Sequence, residues 1–169
     1  VSHKLITGGS DVTGLLQAAG QAASESRLLL WTRDAAAERE LSAYPISGVV
    51  PLNSIPYAGV TINNGGGDKL SYYLHASFSY RRTGCGAIRN VTATLTLRND
   101  APRHGLPAYV TDTNSNSRPG LQRVNVAYYA SAGADVVSVT HDGRPIHTSG
   151  GQERGHTLTF FAYTLPFDT

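Results

Sequence analysis

The stretch Leu70-Ser71-Tyr72-Tyr73-Leu74-His75-Ala76-Ser77-Phe78-Ser79-Tyr80-Arg81 decides how this chain is read. Leu70, Tyr72, Leu74, Ala76, Phe78 and Tyr80 alternate with Ser71, Tyr73, His75, Ser77, Ser79 and Arg81. A period of two sends successive side chains to opposite sides of a pleated strand. The spacing therefore predicts one long strand with its even positions buried and its odd positions wet. Val91, Ala93, Leu95 and Leu97 alternate with Thr92, Thr94 and Thr96 in the next strand. Further strands are expected over 58–63, 121–131, 134–141 and 156–165, and Asp142-Gly143 supplies a tight hairpin turn. Strands at this spacing, with turn signals between them, describe a β-sandwich of immunoglobulin-like type.

Upstream of residue 51 the period changes to that of helices. Ser10-Asp11 offers an N-cap for Val12, Leu15, Leu16, Ala19 and Ala23, a stripe that predicts a helix over 11–25. Leu28-Leu29-Leu30 reads as a strand buried on both faces, with Leu29→Asp expected to cost about 3 kcal/mol or more. Asp34 then caps a second helix, which ends before Pro45. The fold class is thus α+β: a small helix-strand-helix segment over 1–50 and a mostly antiparallel sandwich over 51–169.

Composition narrows the function. Fourteen basic residues against twelve acidic ones give a net charge of +2, too mild for the dense basic footprint of a nucleic-acid binder. No run of about 18 apolar residues is present, so no spanning helix and no membrane contact by this segment are expected. The chain opens with neither Met nor a basic-then-apolar leader, and reads as a processed piece of something longer. Cys85 is the sole cysteine, which excludes an internal disulfide, and its Thr83-Gly84-Cys85-Gly86 turn lacks an activating partner.

The chemistry-bearing residues give no catalytic constellation. Asn63-Asn64-Gly65-Gly66-Gly67-Asp68-Lys69 superficially suggests a phosphate loop. However, Asp68 separates glycine from lysine, and the expected order is strand, turn, strand rather than strand, loop, helix. Asp34 and Glu38 share a helix face beside Arg33 and Arg39, and read as solvated surface. His141, His147 and His156 flank two β-connections with no fixed ligand geometry, and read as surface histidines. No catalytic, cofactor or metal residue is therefore assigned. Binding has better support: nine tyrosines against four phenylalanines and one tryptophan favour rings that also hydrogen-bond. Tyr73 belongs to the wet face of its strand, and Tyr128 and Tyr129 must face opposite ways, one inward and one outward. In Asn99-Asp100-Ala101-Pro102-Arg103-His104-Gly105-Leu106-Pro107-Ala108-Tyr109-Val110-Thr111, Pro102 ends pairing and Leu106 or Tyr109 is expected to plug the sandwich. Tyr109 and Val110 should resume extended structure, with Arg103 and His104 facing solvent.

Taken in order, the stretches 27–51, 59–74, 92–111 and 118–146 resemble the C-terminal portion of the actinobacterial domain-of-unknown-function 4012 family. The residues that carry the resemblance are Leu30-Trp31, then Asn64 with Gly67, Lys69, Tyr72, Tyr73 and Leu74. Asn99-Asp100-Ala101-Pro102, Gly105 to Thr111, and Gly120 with Arg123 complete it. Asp68 departs from the small polar residue more usual there, and Leu165-Pro166-Phe167-Asp168-Thr169 stops where a closing strand is expected. The resemblance implies an extracytoplasmic module of a membrane-anchored cell-envelope protein, in contact with wall glycopolymer or another envelope protein. It makes Asn64, Lys69, Tyr73 and Arg123 the candidate binding surface. It also implies an alternative: the tail of a glycopolymer-transferring enzyme, similar to the LytR-CpsA-Psr type, whose catalytic residues lie upstream.

Overall fold

The computed structural model describes residues 12–25, 27–52, 56–111 and 120–167. The chain divides after residue 51 into two compact units. In the first, helix α1 spans Val12–Ser24 and helix α2 spans Ala35–Leu41. Asp34 caps α2 as the sequence predicts, its Oδ1 accepting from the Ala36 and Ala37 N–H groups at 3.0 and 2.8 Å. The N-cap expected at Ser10-Asp11 lies outside the described residues.

The leucine run corrects the sequence reading. Residues 28–30 form no strand, and Leu28, Leu29 and Leu30 are all exposed. Leu30 N–H bonds to the Ile46 carbonyl at 2.8 Å, which ties the run to the short 3-10 turn Pro45–Ser47. An apolar run alone does not distinguish a buried strand from an exposed one, and here no ladder forms. Neither helix contains a buried residue.

The second unit is β-rich and antiparallel throughout. Its strands are β1 (Gly59–Asn64), β2 (Leu74–Thr83), β3 (Asn90–Asn99), β4 (Gln122–Ala132), β5 (Thr140–His141), β6 (Arg144–Pro145), β7 (Ser149–Glu153) and β8 (His156–Leu165). They make a four-stranded sheet in the order β1-β4-β8-β7, a β2-β3 ribbon and a β5-β6 hairpin. The arrangement is sandwich-like where the ribbon's Phe78 ring meets Tyr128 of the main sheet, 6.4 Å between centroids.

The core follows β4 and β8. Residues directly opposite in a ladder share a sheet face, so Val124, Val126 and Tyr128 lie with Tyr163, Phe161 and Thr159 on one face. Ala127 and Tyr129 lie with Phe160 and Leu158 on the other. Val124, Val126, Ala127, Ala130, Leu158 and Leu165 are buried, as are Leu70 and Ala101. Tyr128 and Tyr129 do face opposite ways, but both are half-buried. Tyr129 Oη–H donates to Glu153 at 2.9 Å.

Two hairpins depend on left-handed backbone. Asp142-Gly143, with φ of 48° and 76°, closes β5 onto β6, as the sequence predicts. Arg154-Gly155, with φ of 51° and 82°, closes β7 onto β8 in the same way. Strand β7 is absent from the sequence reading, because Gly150 and Gly151 erase its alternation. The expected strand over 134–141 shrinks to β5, and 134–139 carries no ladder.

The opening stretch divides in two. Leu70–Tyr73 is a 3-10 turn and the strand begins only at Leu74. Asp68 Oδ1 takes the Leu70 N–H at 2.9 Å, a side-chain bond that competes with ladder formation. From Leu74 onward the expected parity holds: Ala76, Phe78 and Tyr80 pair with Leu97, Leu95 and Ala93 on one face. The burial does not hold. Phe78 and Tyr80 remain 40% and 36% exposed, because the ribbon projects and only its base is covered.

Candidate functional site

At one end of the main sheet the chain leaves β1 at Asn64 and turns through Gly65-Gly66-Gly67. Asn64 organises this loop. Its Oδ1 accepts from the N–H groups of Gly66 and Gly67 at 2.9 and 3.0 Å. Its Nδ2 donates to Asp68 O, Asp68 Oδ1 and Ser71 Oγ at 2.9, 2.8 and 3.2 Å. The two amides that a phosphate would need are therefore already engaged by Asn64, and Asp68 occupies the loop interior. Its Oδ2 is buried without a hydrogen-bond partner.

The four candidate residues gather around this loop, each in a different role. Asn64 is a structural hub. Lys69 is exposed, and its N–H anchors the loop to the Val110 carbonyl at 2.9 Å. Arg123, exposed on β4, accepts the Gly65 N–H through its carbonyl at 2.8 Å. Tyr73 is half-buried, and its carbonyl takes the Asp100 N–H at 3.0 Å. Tyr72, expected inside, is 85% exposed and meets the Tyr73 ring edge-on at 5.1 Å. The 3-10 turn shifts the side-chain phase and so exchanges the two tyrosines.

Around the loop the sheet presents residues not singled out from the sequence. Asn63 and Asn125 are directly paired and exposed, on the same face as Thr61 and Arg123. Gly65 approaches this array closely: a Cβ there would lie 3.1 Å from the Asn125 amide and 3.2 Å from Arg123 Cγ. Their signal in the sequence is the polar alternation of Thr61-Asn63 and Arg123-Asn125 at strand ends. Together they offer amide, hydroxyl and guanidinium groups, a donor and acceptor set suited to polyhydroxylated or polar polymer surfaces, and the adjoining loop carries the exposed Tyr72 ring.

The other expected sites resolve differently. His156 is not a surface histidine: it is fully buried, with Nδ1 2.7 Å from the Ala130 carbonyl and its ring 4.9 Å from that of Tyr57. His141 lies on the Tyr163 ring at 4.5 Å, and His147 is exposed. No group of three His, Cys, Asp or Glu side chains among the described residues is placed to hold a metal ion. Glu38 is no solvated partner of Asp34: its Oε2 accepts the Thr32 N–H at 2.9 Å. Cys85 is exposed.

The 99–111 corner is also revised. Pairing stops at Asn99, which is buried and donates to the Gly120 carbonyl at 3.0 Å. Tyr109 is exposed rather than a plug, and 108–110 form a turn closed by Val110 N–H to Pro107 O at 2.9 Å. Leu106, the other expected plug, is half-buried, and Ala101 is the buried apolar residue of this corner. Arg103 and His104 are exposed, as expected, and border a cleft of about 220 Å³, with the Arg103 guanidinium 5.9 Å from the Phe167 ring centre. Compared with known families, with curated proteins and with solved structures, the chain matches none.

Proposed function

We propose that this chain is a non-catalytic, extracytoplasmic module of a cell-envelope protein that binds wall glycopolymer through the surface around the 64–73 loop. The supporting observation is the open Tyr72 ring beside exposed Lys69, with the Asn63–Asn125 and Arg123 array on the adjoining strands. A sugar polymer is contacted by aromatic faces and by amide or guanidinium hydrogen bonds, and such contacts need no enclosed cavity. The resemblance in sequence supplies the envelope setting. The tyrosines and polar groups supply the means of contact.

The test is binding of the 169-residue chain to purified actinobacterial cell wall, with an unrelated β-sandwich as control. Tyr72→Ala with Lys69→Ala, and separately Arg123→Ala with Asn125→Ala, should each weaken binding about tenfold, the equivalent of one or two modest contacts. Arg103→Ala with His104→Ala should leave it unchanged. Wall binding equal to the control protein, or loss only in the Arg103 and His104 variant, would overturn the assignment.

A further inference from the structure

We infer that the distal end of the β2-β3 ribbon is a peripheral contact for an anionic lipid surface. Charge is distributed unevenly along the chain: residues 69–99 hold five of its fourteen basic residues and none of its twelve acidic ones. Three of the five, Arg81, Arg82 and Arg89, surround the ribbon's far end, and all are exposed. None has an ion-pair partner among the described residues.

Their placement follows from strand geometry. Arg81 is paired with Thr92 on the hydroxyl-rich face, and Arg82 with Val91 on the apolar face. Adjacent strand residues point to opposite sides, so the guanidinium groups ring the ribbon rather than lining one flank. Arg89, at the end of the connection and just before β3, closes the ring, its Nε donating to the Gly86 carbonyl at 3.3 Å. Beyond this collar the tip, Gly84-Cys85-Gly86-Ala87-Ile88, contains no charge, and Ile88 is 91% exposed.

An apolar tip beyond a cationic collar matches the profile of a bilayer surface, with acyl chains below a plane of phosphates. A soluble polyanion would be met better by charges at the tip, and would gain nothing from an exposed isoleucine. Single-stranded nucleic acid would call for aromatic rings to stack its bases, and the tip has none. The missing long apolar run bears on spanning a bilayer, not on resting against one, and the proposal departs from the expectation of no membrane contact on that ground.

Cys85, the sole thiol, lies in this tip and serves as the probe. The 169-residue chain would be labelled there with an environment-sensitive fluorophore. It would then be mixed with vesicles of phosphatidylglycerol and phosphatidylcholine in equal parts, or of phosphatidylcholine alone. Sedimentation of unlabelled chain with the same vesicles separates the dye's own affinity from the protein's. The expected result is salt-sensitive binding to the anionic vesicles only, with a blue shift of the label. Arg81→Gln, Arg82→Gln and Arg89→Gln should each lower the partition coefficient about fivefold. Ile88→Ser should lower binding and abolish the blue shift, and all four variants should keep the parent melting temperature. Three results would overturn the inference: no difference between the two vesicle types, no effect of Ile88→Ser on either readout, or equally tight binding to duplex DNA or a soluble glycerol-phosphate polymer.

Discussion

Tyr57 and Ser131, 74 residues apart, bond to each other reciprocally: the Tyr57 N–H donates to Ser131 Oγ at 2.7 Å, and that hydroxyl donates to the Tyr57 carbonyl at 2.8 Å. The β4 ladder is irregular between Tyr129 and Ala132, and Ser131 sits in that irregularity. A bulge re-aims a side chain, here toward the segment that enters β1. Tyr57 in turn places its ring against buried His156. Ser131→Ala removes both hydrogen bonds and leaves two half-buried backbone groups unpaired. The expected loss is about 1–2 kcal/mol, read as a lower midpoint in urea with an unchanged slope. An unchanged midpoint would mean that water replaces both bonds without loss.

Gly120, two residues before β4, is left-handed with φ 86°, and a Cβ built there would overlap the Phe167 ring. Gly120→Ala therefore meets two penalties, backbone strain and overpacking, together about 2–3 kcal/mol. Phe167→Ala relieves only the second. The double variant should be more stable than the sum of the single losses predicts, which a double-mutant cycle measures.

Leu29→Asp now carries an expectation opposite to the one its apolar run suggested. Leu29 is 57% exposed, so a carboxylate there stays in water, and the expected change lies within about 0.5 kcal/mol. A loss several times larger, measured by thermal melting, would mean that the leucines are covered in solution.

The sequence was legible where local rules act without competition. The Asp34 cap, the Asp142-Gly143 turn and the strand over 156–165 each needed only one strong local preference, and each is present. Legibility failed where side chains compete with the ladder. Asp68 and Asn64 capture the backbone before Leu74 and exchange the roles of Tyr72 and Tyr73. It failed again where burial depends on a neighbour, as for Phe78 on a projecting ribbon, whose alternation shows its faces but not what covers them. Around the loop, Lys69 and Arg123 could be named, but Asn63 and Asn125 matter only through a strand register that pairs residues 62 positions apart. His156 is a third case: a histidine at a hairpin end looks like surface until the Ala130 carbonyl is seen to receive it.

Alkaline pH should act through two tyrosines. Burial raises the Tyr128 hydroxyl above its usual value, with a smaller contribution from Tyr80. Burial also raises Tyr129, reinforced by its hydrogen bond to Glu153. A raised folded-state value means that the unfolded chain loses its protons first. The stability these groups contribute is therefore intact below the usual tyrosine range, near pH 10, and is lost as pH rises through the folded values. Tyr128→Phe should flatten the fall in stability above that range, and ultraviolet titration of the parent should show a phenol ionising above the usual tyrosine value that this variant lacks. A titration curve unchanged by Tyr128→Phe above the usual tyrosine value would contradict this.

Helices α1 and α2 contain no fully buried residue, and this has a consequence for how the backbone meets water. Amide protons in β4 and β8, held in ladders on both sides, exchange with deuterium only when the sheet opens as a whole. Those of α1 and α2 have only their own turn to protect them, and short helices open and reclose independently of the sheet. A time course of deuterium uptake would then separate the chain near residue 51, with the first part labelled long before the second. Equal slowness in α1 would mean that its Leu15 and Leu16 stripe has another surface to lie against.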